Sequence, residues 1–120
     1  MEDRLRPLEL RYRRGERRLE LRFADGACFA LEAELLRVYS PSAEVQGHGG
    51  GELRCLAADK RGVAISAIEP VGNYGVRLVF DDGHDTGIYA FALLRELGER
   101  REALWARYRA ALGGTDEGRG

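Results

Sequence analysis

Residues 71–90 read VGNYGVRLVFDDGHDTGIYA, and their pattern decides the fold. Val76, Leu78 and Phe80 alternate with Arg77, Val79 and Asp81, a period of two that gives a strand one strongly buried face. Asp82-Gly83 follows, a dipeptide that tolerates positive φ and predicts a two-residue hairpin turn. Gly87, Ile88 and Tyr89 then form a second short strand, and residues 90–97, AFALLREL, an amphipathic helix.

Working towards the N-terminus, the same unit recurs. The pattern RFADG at residues 22–26, followed by LEAELLR at 31–37, matches VFDDG at 79–83 followed by IYAFALLR at 88–95, with one residue of slippage. Both copies read as strand, Asp-Gly turn, strand and short helix ending in Leu-Leu-Arg. Two copies are too few for a solenoid and imply two similar lobes sharing one small core. Ahead of the first copy, residues 8–12 and 18–23 alternate as strands around a turn at Arg14-Gly15-Glu16. The helix at 32–38 is expected to stop at Ser40-Pro41, because proline drives the preceding residue out of the α region. Residues 40–51 are irregular and rich in glycine, and residues 52–58 read as a short strand. A buried strand is expected at 63–68, feeding Pro70 to Asn73. Gly98 interrupts the helical pattern, which resumes over residues 99–112 with Leu104, Tyr108 and Leu112 on one face and Trp105 beside them.

Composition sets the outer bounds. A chain of 120 residues, 44% apolar and 32% charged with net charge −1, reads as one soluble domain. That near-balance gives no reason to expect nucleic acid or an anionic membrane as partner. Arg13, Arg14, Arg17 and Arg18 cluster, but neighbouring acids dilute them into an ordinary solvated hairpin. No apolar run reaches a membrane span, and the N-terminus lacks a signal-peptide core, so a cytoplasmic location is expected. Cys28 and Cys55 stand apart without a CxxC spacing and read as buried or half-buried thiols. Residues 1–112 are taken as a single domain, and 113–120, GGTDEGRG, as a polar tail expected to be disordered.

Few residues carry recognisable chemistry. The run at Gly47-His48-Gly49-Gly50-Gly51 lacks the Gly-Lys-Ser/Thr of a phosphate loop. His84, flanked by Asp82 and Asp85 after a tight turn, is a candidate metal ligand or proton carrier; an exposed strand histidine paired with a neighbour is the plainer alternative. No serine or cysteine nucleophile lies in a recognisable motif.

Two segments together, residues 36–45, LRVYSPSAEV, and 71–89, resemble the DUF971 family, the gamma-butyrobetaine hydroxylase-like N-terminal domain; the similarity covers roughly residues 5–100. In the hydroxylase this domain precedes an iron- and 2-oxoglutarate-dependent catalytic domain that this chain does not contain. The resemblance implies a Cys3His zinc site in the family's metal-binding form. Its cysteine positions fall on Ser40, Ser42 and Val45 here, and its histidine on His84. A serine hydroxyl stays protonated near neutral pH and valine cannot ligate, so no metal or other cofactor is expected.

The expected fold is α+β: a small, twisted, mainly antiparallel sheet with short helices, including a C-terminal helical segment. The leading function is a non-catalytic accessory or interaction domain with a protein partner. Its candidate face comprises Ser40, Ser42, Glu44, Gln46, His48, Tyr74, Asp82, His84 and Asp85. The alternative is a zinc- or iron-binding domain using His84 with His48, Asp82 and Asp85. A stand-alone enzyme with His84 as base is a third reading.

Overall fold

The computed structural model describes residues 6–41, 59–85 and 87–117, the last five of these by backbone alone. Within them the chain runs β1 (Pro7–Arg13), β2 (Arg18–Phe23), β3 (Cys28–Glu32), α1 (Ala33–Val38), β4 (Ile65–Val71), β5 (Gly75–Phe80), β6 (Gly87–Ala90), α2 (Phe91–Glu99) and α3 (Arg101–Glu117). The α+β expectation holds, but the strands form two three-stranded antiparallel sheets, β1-β2-β3 and β4-β5-β6. Alternation fixes which face of a strand is buried; it carries no information on which strands pair, so one sheet and two look alike in sequence.

Each central strand buries every second side chain. Leu19, Leu21 and Phe23 on β2, and Val76, Leu78 and Phe80 on β5, are almost inaccessible to solvent. On the same faces Tyr12 and Leu31 flank Leu19, and Tyr89 lies opposite Val76. α1 is buried through Ala33, Leu35, Leu36 and Val38, while α2 contributes Leu94 and Leu97, and α3 Leu104 and Tyr108. One continuous core results. Pro70 sits within β4, an edge strand, where a missing N–H need not break a ladder.

The internal repeat is real in three dimensions. Phe23 N–H donates to the Ala27 carbonyl at 2.9 Å, and Phe80 N–H to the His84 carbonyl at 2.9 Å. Gly26 N–H returns to Phe23 O at 3.0 Å, and Gly83 N–H to Phe80 O at 3.1 Å. Asp25 and Asp82 each accept a backbone N–H two residues on, from Ala27 and His84. Gly26 and Gly83 have φ of +90° and +95°. Each turn therefore has three loop residues closed by a left-handed glycine, not two as Asp-Gly alone suggests. After each third strand the entry to the helix is also matched, by Ala33 N–H to Arg17 O and Phe91 N–H to Tyr74 O.

Other boundaries shift modestly. β4 begins at Ile65 and runs through Val71, and the α2–α3 break falls at Arg100 rather than Gly98. α3 continues past Leu112 to Glu117, since a helix already nucleated and packed extends at little cost per residue. Residues 118–120 and the strand expected at 52–58 lie outside the described residues. Cys28 is free and exposed, not buried: it lies on the outward face of β3, opposite Arg22.

Candidate functional site

Arg37 lies in the last turn of α1, after Leu-Leu, as Arg95 follows Leu-Leu in α2. Each reaches across to the Asp-Gly turn of the other lobe. Arg37 Nε donates to Asp82 Oδ2 at 2.9 Å, and Arg95 donates to both oxygens of Asp25, at 3.2 and 2.8 Å. Lys60 Nζ adds a second cation on Asp82 Oδ2 at 3.2 Å. Partial burial works against the Asp82 charge, but the His84 N–H, Lys60 and Arg37 outweigh it and hold its pKa at about 2. Asp82 is therefore an ionised anchor, not a proton carrier at neutral pH.

His84 lies beside this anchor. Its Nε2 is 2.9 Å from Ser40 Oγ, just beyond the C-terminus of α1. Gly87 makes the approach possible, because a Cβ there would run into Ser40 Oγ. Beneath them the Tyr89 hydroxyl donates to Leu36 O at 2.5 Å, and burial pushes the Tyr89 pKa up. The His84 pKa is lowered by desolvation and by the Arg37 cation, against the opposing pull of Asp82 and Asp85. The imidazole is thus neutral at pH 7 and exchanges one hydrogen bond with the hydroxyl.

Of the candidate face, the structure brings together Ser40, Asp82 and His84. Asp85 points its charge and carbonyl towards Arg77, 3.9 Å from its carboxylate and 2.8 Å from its carbonyl oxygen. Tyr74 is exposed but precedes β5, at the far end of the strand from Asp82, about 20 Å away at the rise of a β-strand. It does not share this face. Ser42, Glu44, Val45, Gln46 and His48 lie outside the described residues. Among the described residues no three His, Cys, Asp or Glu side chains cluster as a metal site would need. Sequence reasoning missed Arg37 and Lys60, although the paired Leu-Leu-Arg and Asp-Gly signatures were the available signal.

A second polar cluster joins β3 to α3. Glu32 accepts from Arg101 and from Trp105 Nε1, the latter at 3.1 Å. Tyr108 donates to Glu34 at 2.8 Å and accepts the Lys60 N–H at 3.1 Å, and burial first among the causes lifts its pKa to about 12. These groups are satisfied within the chain and serve packing. No described helix is long and apolar enough to cross a membrane.

Two lobes of three antiparallel strands and a helix, tied by reciprocal arginine–aspartate contacts and closed by a C-terminal helix, define a small α+β domain. The chain belongs to the family described as gamma-butyrobetaine hydroxylase-like, N-terminal, whose model matches residues 10–95. It is similar to a protein with an NMR solution structure at 49% identity, with TM-score 0.79 and coverage of 92% of this chain and 82% of that one. A second NMR structure matches at 41% identity and TM-score 0.74, covering 92% and 86%. A crystal structure of a DUF971-family protein of unknown function from Acidithiobacillus ferrooxidans matches at 36% identity and TM-score 0.65, covering 80% and 96%. No curated protein matches the sequence.

Proposed function

We propose that this domain is a non-catalytic accessory module that docks on a protein partner through the face around Ser40, Asp82 and His84, and that it folds without metal. The observation that carries the reading is the 2.9 Å contact between Ser40 Oγ and His84 Nε2. It engages the imidazole nitrogen with a hydroxyl, at a position where the family resemblance implies a cysteine ligand. Asp82, the nearest carboxylate, is already held by two cations and a backbone N–H, so recruiting it to a metal would mean giving those up.

The metal-binding alternative draws support from one feature: His84 is held neutral, the form that ligates. Metal analysis of protein purified without a histidine tag, together with melting in EDTA, separates the two. The apo reading expects less than stoichiometric metal and an unchanged Tm. A structural site would lose stability on the scale of its binding free energy. One equivalent of zinc or iron with a Tm that collapses in chelator overturns the apo reading, and points to His84 and His48. For the docking half, a photo-crosslinking amino acid at His84 should give a defined product in cells that one at Leu8 does not. Equal products from both positions would count against this face.

A further inference from the structure

We propose that the β1–β2 turn, through the side chains of Arg14 and Arg17, binds an acidic peptide segment of a protein partner. This goes beyond the docking face above and uses different residues: the Arg17 carbonyl accepts the Ala33 N–H at the start of α1, whereas Ser40 follows the other end of that helix.

The repeat supplies an internal control. Residues 14–17 are Arg-Gly-Glu-Arg, and the equivalent residues 71–74 are Val-Gly-Asn-Tyr. Both turns close alike, by Arg17 N–H to Arg14 O and Tyr74 N–H to Val71 O, each at 3.3 Å. The carbonyls of Arg17 and Tyr74 then meet the helix that follows, at Ala33 and Phe91. The second lobe makes its turn with no charged side chain, and its left-handed residue, two places earlier, is Gly72 at φ +53°. In the first lobe the left-handed residue is Arg17, at φ +52°, a conformation that is costly for a side chain with a Cβ. Arg13 and Arg18, which flank the turn, lie directly opposite each other, and like charges so placed repel. Glu20 meets Arg13 at 3.1 Å, but Glu16 meets Arg18 only at 3.7 Å, and Arg18 Nε is enclosed without a hydrogen-bond partner. Arg14 and Arg17 are exposed and form no ion pair or side-chain hydrogen bond with any described residue. The fold thus tolerates strain and repulsion for two guanidinium groups that it does not use. An anionic ligand supplies the missing partner.

Charge and extent select the occupant. Residues 13–20 carry four arginines and two glutamates, a surplus of +2 that leaves the rest of the chain at −3 within a net charge of −1. A nucleic-acid duplex bears a charge about every 1.7 Å and runs far past a short turn, so most of it would face that negative remainder. An anionic membrane meets the same repulsion, and residues 14–17 hold no apolar side chain to insert. A short run of carboxylates touches the turn alone, and a guanidinium fits a carboxylate in planar, bidentate geometry. With two free cations on an exposed turn, binding is weak and salt-sensitive, with a Kd on the order of 100 µM at low ionic strength.

Fluorescence anisotropy of a labelled hexaglutamate peptide, titrated with the full chain at low salt, tests this. The wild type is expected to reach half-saturation near that Kd and to release the peptide as salt rises. Arg14→Gln and Arg17→Gly together should weaken binding about fivefold or more. Arg17→Gly alone should weaken it while leaving Tm unchanged or raised, because glycine relieves the left-handed strain. Arg6→Gln removes the same charge from an exposed site at the other end of β1 and should leave binding intact. A wild type that does not bind at about 1 mM, or an Arg6→Gln loss equal to that of the double variant, overturns the proposal. A fall in Tm with Arg17→Gly would give that side chain a role in the fold and overturns it as well. A DNA oligonucleotide or a phosphatidylglycerol vesicle that binds more tightly than the peptide, and is lost in the double variant, replaces the acidic peptide with nucleic acid or membrane and also overturns it.

Discussion

Gly98 lies inside α2, where glycine costs up to about 1 kcal/mol relative to alanine. The reason it stands there is Phe29, packed against the helix from β3. A Cβ on Gly98 would come within 2.5 Å of Phe29 Cγ and 2.8 Å of its Cβ, atoms too near the root of the side chain to swing away. Overpacking of that kind outweighs the propensity gain. Gly98→Ala is accordingly expected to destabilise by about 1–2 kcal/mol, and to become neutral or stabilising in a Phe29→Ala background. Urea midpoints of the three variants decide it, and a stabilised single mutant would show that the ring can move. Gly83 is constrained by conformation instead. Its φ of +95° has open space around it, so Gly83→Val is expected to cost at least about 1 kcal/mol through backbone strain alone. A midpoint equal to wild type would mean that the turn relaxes into another type.

At the scale of elements, His84 and Ser40 join the β5–β6 turn to the end of α1, and the join has a pH signature. Because the folded protein lowers the His84 pKa, the unfolded chain binds that proton more readily. Stability from this group is complete above the unfolded pKa, about 6.5, and is lost as pH falls through the lower folded value. Asp82 acts in another window. Its folded pKa of about 2 gives stability that is present above about 4 and lost as pH falls through 2. The slope of stability between pH 7.5 and 5 should therefore flatten in His84→Gln but persist in Asp82→Asn; an unchanged slope in His84→Gln would remove His84 as its source. The strands themselves were legible, because Leu19-Leu21-Phe23 and Val76-Leu78-Phe80 advertise a buried face with period two. The loop length at Asp82-Gly83 was not, since the same dipeptide serves two- and three-residue turns. Nor could periodicity place the helix break: Gly98 looked like a stop, while its neighbour Phe29 is 69 residues away in sequence. In sequence only the family resemblance relates Ser40 to His84, and Tyr74, part of the same resembling segment, is carried by β5 to the opposite end.

For the whole molecule, the decisive feature is that each lobe is fastened by the other. Arg37, from the first copy, holds Asp82 in the second, and Arg95, from the second, holds Asp25 in the first. Arg95 also lies over the Phe23 ring, 4.9 Å from its centroid, and a cation–π contact of this kind adds about 0.5–1 kcal/mol at exposed sites. The Arg95–Asp25 pair has an exposed acid and so resembles a surface salt bridge, whereas Arg37–Asp82 is more enclosed. Tyr12 adds a further tie, its hydroxyl accepting the Ile65 N–H at 3.0 Å from the other sheet. With the core continuous across both sheets, neither lobe has a separate apolar centre to retain once the other opens. Unfolding is therefore expected to be a single transition, with Trp105 fluorescence, which reports the contact of α3 with Glu32, coinciding with amide exchange in β5 of the second sheet. Asp82→Asn should lower both together by about 1–2 kcal/mol, because losing charge at the enclosed clasp weakens the joint between lobes rather than one lobe. If the Asp82→Asn variant opens β5 while Trp105 fluorescence still reports a folded environment, the lobes are separable and the reciprocal contacts do not couple them.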